Sequence, residues 1–247
     1  MNFLKWTHYF RENQNHFDHL NWEDSYQLSI GEKKLITSSI RQFQRGEYSE
    51  GKHFIQFAKS MGDESYCAAV KVFITEEQGH AMVLGKFMEM QNITKLKNDW
   101  LDNVFRSLRK LAGLEGTVTV LLTAEIIAMV YYKALESVTN SHLLRQICKQ
   151  ILVDEEMHLV FQSFTLSQIY SRKATITVPV SGWIHAILMA GTIVMVWFFH
   201  KKVLRSGGYG FFSFFISVWK EFSKCRTLIK NKAPQPVFAS SVASTLK

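Results

Sequence analysis

Two short stretches, ITEEQGH at residues 74–80 and ILVDEEMH at residues 151–158, each set a Glu three positions ahead of a His inside an apolar run. A helix carries positions i and i+3 on one face. Glu77 with His80, and Glu155 with His158, are therefore two carboxylate–imidazole pairs pointing where a core should be. Two more glutamates interrupt apolar stripes in the same way. Glu47 follows Ile36, Ile40 and Phe43 at helical spacing, and Glu125 falls between Val118, Leu121 and Tyr132. Four buried carboxylates repel one another and are costly to desolvate. Two divalent cations would balance them, with the imidazoles as neutral ligands. A Glu from each of two helices plus Glu-x-x-His from each of two others is the carboxylate-bridged two-metal pattern. Oxygen and imidazole donors suit iron or manganese. The three cysteines, Cys67, Cys148 and Cys225, stand far apart without a CxxC pair, which sets aside a structural zinc module or a disulfide framework and points to a reducing compartment.

The elements that must position these groups read as helices. Apolar spacing predicts a first helix over about 29–60. Gly62 is its stop, and Asp63 is the N-cap of a second running through Tyr66 to Phe87. A short amphipathic piece is expected around Trp100–Leu111. A third helix covers about Thr117–Val138, and a fourth, capped by Asn140, continues through Ile169. At this length each main helix is roughly 40 Å long. The first 178 residues hold no proline and no strand-like alternation, so the fold class is all-α. Glu47 and Glu77 are 30 residues apart about residue 62, and Glu125 and Glu155 are 30 apart about residue 140. Across an antiparallel hairpin, residues equidistant from the turn sit at equal height. Each pair should meet roughly 20 Å from its turn, bringing all six groups into one layer.

GEYSEGKHFIQFA (46–58), EEQGHA (76–81), Glu125 and DEEMH (154–158) together resemble the ferritin-like di-iron carboxylate superfamily, in the manner of rubrerythrin-type members. The resemblance covers about residues 29–170. It implies a ferritin-like four-helix bundle with two iron ions, manganese or a mixed iron–manganese pair being the alternative. Glu47, Glu77, His80, Glu125, Glu155 and His158 would be ligands, with Glu77 and Glu155 bridging. The resemblance further implies that Glu76 and Asp154 orient the histidine of the opposite hairpin, Glu76 on His158 and Asp154 on His80. Without CxxC pairs there is no rubredoxin module, so electron delivery in the manner of classical rubrerythrins is not expected, and the electron donor is unknown. The expected activity is an oxidoreductase using O2 or peroxide. The rivals are a ferroxidase that handles iron itself, a two-metal hydrolase, and a non-catalytic metal-stabilised membrane scaffold.

Around this core several residues invite chemistry and have plainer readings. Glu50 with His53 is a third ExxH, which reads as structural unless Glu50 is an extra carboxylate or a proton relay. His16 and His19 could clip a metal, but the plainer reading is a solvated N-terminal segment. Tyr131 and Tyr132 invite a radical or redox role but read more plainly as aromatic packing, and Cys67 and Cys148 read as small core residues. Ala124, Ala128 and Gly79, beside the ligands, would leave room for a gas or an acyl-type substrate.

Charge divides the chain. Residues 1–200 carry 20 basic and 20 acidic side chains, while residues 201–247 carry nine Lys/Arg against Glu221 alone. The whole net charge of +8 thus lies in the tail, which favours an anionic membrane surface; no nucleic acid is expected. Residues 174–199 contain no Asp, Glu, Lys or Arg, with Trp183 and Trp197 as candidate interfacial residues. A single span would put the basic tail on the side opposite the bundle, so a hairpin or in-plane arrangement is favoured over a clean crossing; a buried fifth helix is the plain alternative. No signal-like run opens the sequence, and a cytoplasmic protein associated with a membrane is expected. The resulting domain map is an N-terminal segment (1–28), a di-metal bundle (29–170), a hydrophobic, basic helical region (171–232) and a flexible tail (233–247).

Overall fold

The computed structural model describes residues 3–48, 51–96, 113–174, 177–232 and 234–236. Among these residues the chain is all helical. In order run α1 (Leu4–Glu12), a 3-10 turn (Asn13–Asn15), α2 (Ile30–Glu47), α3 (Lys52–Ser60), α4 (Glu64–Met90), α5 (Gly113–Val138), α6 (His142–Tyr170), α7 (Thr177–Ser206) and α8 (Phe211–Lys230). The expected amphipathic piece around Trp100–Leu111, Glu50, and the tail beyond residue 236 lie outside the described residues.

Local chemistry explains where helices start. Ser29 and Glu32 form a capping box: the Ser29 hydroxyl accepts from the Glu32 N–H at 3.2 Å, and the Glu32 carboxylate accepts from the Ser29 N–H at 3.0 Å. Asp63 caps α4 by accepting from the Tyr66 N–H. The cap of α6 is Ser141, which accepts from the Leu144 N–H at 3.2 Å, one residue beyond the expected Asn140. The Asn140 N–H instead donates to Glu32 at 2.9 Å, fastening the α5–α6 turn to the start of α2.

The first long helix is broken. α2 stops at Glu47, Tyr48 is extended, and α3 starts after Gly51 at φ +64°. That left-handed conformation suits glycine, and a Cβ at Gly51 would lie 2.4 Å from Ile74 Cδ1. The chain therefore needs Gly51 both for its backbone and for its approach to α4.

The N-terminal segment belongs to the core. Phe3, Trp6 and Phe10 are fully buried against Tyr66 and Phe73 of α4 and Phe161 of α6. The loop after it is held by Gln91, whose side chain accepts from the Leu28 N–H at 2.8 Å and donates to the Tyr26 carbonyl at 2.9 Å.

The C-terminal helices turn one face to the rest of the chain. On α7 the buried face includes His185, Met189, Ile193, Val196 and His200; on α8 it is Phe214, Val218, Phe222 and Cys225. His185 Nε2 lies 3.1 Å from Thr123 Oγ1 of α5, and His200 Nδ1 lies 2.8 Å from Ser39 Oγ of α2. At the α7–α8 turn a Cβ on Gly207 would sit 2.8 Å from Ala134 Cβ, so the turn packs backbone-close on α5. By length and composition α5 and α7 could each cross a membrane; the apolar window is 78% buried in α5 and 33% buried in α7.

Candidate metal centre

Glu47 ends α2; Glu76, Glu77 and His80 lie mid-way along α4; Glu125 lies on α5; Asp154, Glu155 and His158 lie on α6. These elements deliver the six predicted ligand residues to one layer. Ligand atoms of Glu47, Glu77, His80 and Glu155 fall within 4.8 Å of one another, and so do those of Glu77, Glu125 and His158. Glu77 belongs to both groups. Glu155 reaches both histidines, with Oε1 3.7 Å from His80 Nδ1 and Oε2 3.3 Å from His158 Nδ1. Glu77 Oε1 is 2.9 Å from His158 Nδ1 and 3.9 Å from His80 Nδ1, and Glu47 Oε2 is 3.9 Å from His80 Nδ1. Glu77, with 14% of its side chain exposed, is the most accessible of the six.

An outer ring of acids sets the imidazoles. His80 Nε2 meets Asp154 Oδ2 at 3.2 Å, and His158 Nε2 meets Glu76 Oε1 at 2.9 Å. A carboxylate on Nε2 assigns the proton there and leaves the Nδ1 lone pair aimed at the glutamates. Phe10 and Phe73 pack on the His158 ring and Phe17 on the His80 ring, walling the pair with apolar surface.

Three further residues complete the site. Asn13, in the 3-10 turn, donates from its side-chain amide to Glu76 Oε2 at 3.0 Å and to Asp154 Oδ1 at 2.9 Å, tying the two outer acids together. His16 is not solvated: its side chain is 5% exposed, and Nδ1 lies 3.2 Å from Asp154 Oδ2. Tyr132 does more than pack, because its hydroxyl donates to Glu47 Oε1 at 2.6 Å. Tyr131 stacks on Phe43 and accepts from the Ser39 hydroxyl at 3.0 Å. Tyr132 was visible on the Glu125 stripe; Asn13 and His16 carry no periodic signal, since a 3-10 turn and the loop after it have no helical register.

Other expectations fall differently. His53 is exposed, away from a buried centre. Cys148 is a buried core residue, whereas Cys67 is only half-buried. Ala124 is exposed and opens no space inside, while Ala128 is buried. A Cβ on Gly79 would lie 3.7 Å from His16 Nε2 and from Phe17 Cε2, so the room it leaves is taken by the N-terminal segment, not by a substrate.

The electrostatics are those of a cation site. Burial, then the charges of Glu77 and Glu155, push Glu47 up to about 8. Glu125 and Glu155 are also raised, chiefly by burial. Burial alone would lower His80, but the bond to Asp154 and the charges of Glu77, Glu155 and Glu47 outweigh it and raise it to about 9. His158 is raised against the same burial by the adjoining carboxylates of Glu155, Glu76 and Glu77. Every one of these shifts is protons standing in for positive charge that the layer attracts.

The hydrogen-bond inventory tests the fit of a metal pair. Both oxygens of Glu125, Oε2 of Glu155 and Nδ1 of both histidines are buried without a hydrogen bond. A buried polar atom left unsatisfied costs about 1–3 kcal/mol, and these five converge on the layer where cations would bind. The residues fit two divalent ions with oxygen and imidazole ligands. Comparison of the chain with family models, with curated proteins and with solved structures returns no match.

Proposed function

We propose that this chain is a ferritin-like di-iron carboxylate oxidoreductase, working in the cytoplasm at a membrane surface and acting with O2 or peroxide on a hydrophobic substrate. The observation that carries the reading is the convergence of four carboxylates and two inward-facing imidazole nitrogens in one buried layer. On this reading Glu47, Glu77, His80, Glu125, Glu155 and His158 would hold the pair. Iron fits these donors, and manganese or a mixed pair is the alternative. When bound, such a pair supplies two-electron exchange with O2 or peroxide. The chain's own residues do the rest. Asp154 and Glu76 keep each imidazole in the tautomer that binds metal. Tyr132 fixes the rotamer of Glu47 through its hydrogen bond. Asn13 and the Phe10, Phe17 and Phe73 rings close the histidine side to water. With no CxxC pair in the sequence, electron delivery would not follow the rubredoxin route.

The test is to load the full-length protein with Fe(II) under anaerobic conditions, count the bound iron, and then add O2 or H2O2. Two irons per chain and an oxidised di-iron absorption band are expected. A chain that binds no iron overturns the proposal. Two bound irons that never oxidise would assign the site to hydrolysis or to structure, and steady consumption of Fe(II) well beyond two per chain would assign it to iron handling.

A further inference from the structure

We infer that α7 and α8 dock together in the plane of an anionic lipid bilayer, through the faces they turn away from the bundle. This deepens the membrane association proposed above and is independent of the metal centre.

The faces are defined by pairs two residues apart, which lie about 200° round a helix from one another. Trp183 is exposed where His185 is buried, Ile187 where Met189 is buried, and Phe198 where Val196 is buried. On α8, Phe212 is exposed opposite Phe214, and Ile216 opposite Val218. With Ile184, these large apolar side chains make a surface spread over two helices, of the kind that marks an interaction site.

The occupant follows from charge. Lys201, Lys202 and Arg205 at the end of α7, and Lys220, Lys224 and Lys230 along α8, are all exposed. On the outward face Lys201 Nζ lies 6.0 Å from the centre of the exposed Phe198 ring, so a cation sits directly beside the apolar surface, whereas Trp197, expected as an interfacial residue, is buried against the bundle with Arg205 over its ring. A second copy seated on this face would set these cations against each other, since residues 201–247 hold nine Lys/Arg and one Glu. Anionic headgroups around an acyl-chain interior complement both parts of the surface.

The orientation follows from the clamps. His185 holds α7 to α5, and His200 holds it to α2, at points about 22 Å apart along the helix axis. A crossing helix would have to leave the bundle at one of these points and abandon a buried polar residue. Lying flat keeps both.

The experiment uses the full-length protein with vesicles of phosphatidylcholine, with and without phosphatidylglycerol. Strong binding is expected only when phosphatidylglycerol is present, weakening as salt rises. Lys201→Glu, Lys202→Glu and Arg205→Glu together should lower partitioning to the anionic vesicles on the order of a hundredfold. Ile184→Ser, Ile187→Ser and Phe198→Ser together should abolish it. All six side chains are exposed, so helicity and bound metal should be unchanged in both variants, separating a lost interface from a lost fold. A fluorophore placed in turn at positions 183, 187, 198 and 212 should be quenched by lipids brominated near the headgroup, to equal depth at all four. Binding with position 187 much deeper than 183 and 198 means a crossing and overturns the in-plane mode alone. Absence of binding to both vesicle types overturns membrane association itself. A dimer in lipid-free solution that the apolar substitutions dissociate would assign the face to a second copy, and also overturns the inference.

Discussion

At the scale of single residues, the centre makes a sharp statement about protons. In the metal-free chain Glu47 is raised from 4.5 to about 8 and His80 from 6.5 to about 9. Each binds its proton more tightly folded than unfolded, so each adds stability that is complete below its ordinary value and is lost as pH rises through the folded one. The thermal midpoint of the metal-free protein should fall between about pH 5 and about pH 9, as followed by circular dichroism. Stabilisation by added Fe(II) or Mn(II) should grow across that same range, because the metals replace the protons. The outer ring gives a second test. Asp154→Asn and Glu76→Gln should each weaken metal affinity roughly 10–100-fold, and Asn13→Ala should weaken it as well, by releasing both acids at once. Competition with a chromogenic chelator would measure all three, and an unchanged affinity for Asn13→Ala would remove that residue from the site. The six residues that meet in the buried layer were legible in the sequence, because an ExxH in a long helix fixes its own register and Glu47 and Glu125 share the spacing. Asn13 and His16 were not, since their only claim to the site is a contact with residues far along the chain.

At the scale of elements, two glycines bear on where the helices can go. Gly51 combines a left-handed φ with contact against Ile74, so Gly51→Ala should destabilise the fold by about 1–3 kcal/mol and shift Glu47. Urea denaturation together with metal stoichiometry would separate the two effects. Gly207→Ala should push the α7–α8 turn off Ala134 and loosen α7 and α8 while leaving α4 and α6 protected, a pattern hydrogen exchange would show. Helix existence was readable from periodicity and caps; the break after Glu47 was not, because apolar spacing resumes beyond it and only Gly46 and Gly51 mark the interruption. Asn140 and Ser141 are both good caps, and the choice between them was made by Glu32, a long-range partner of the Asn140 N–H.

For the molecule as a whole, the sequence could not say what the charge-free stretch touches, because a protein core and a lipid interior select the same side chains. The polar residues within it and directly after it were the available signal. His185 and Thr192 are seven residues apart, His200 lies eight further on, and all three are buried on the face that meets the bundle. A chain ending before residue 174 should therefore not yield a well-behaved soluble core. It removes the histidine partners of Thr123 and Ser39 and uncovers the apolar surface beneath α7 and α8. Loss of near-ultraviolet circular dichroism and aggregation on size exclusion are the expected results; a monodisperse, cooperatively unfolding fragment would refute this.

The bond from Asn13 to Asp154 joins residues 141 positions apart. During synthesis Glu47, Glu77 and His80 emerge long before α6, and Asn13 waits for both of its acids. An ion arriving then would find half a coordination shell, open to water. On the proposed reading, selection of the metal would belong to the finished protein, and the compartment in which folding ends, rather than the ribosome's surroundings, would decide which ion is kept.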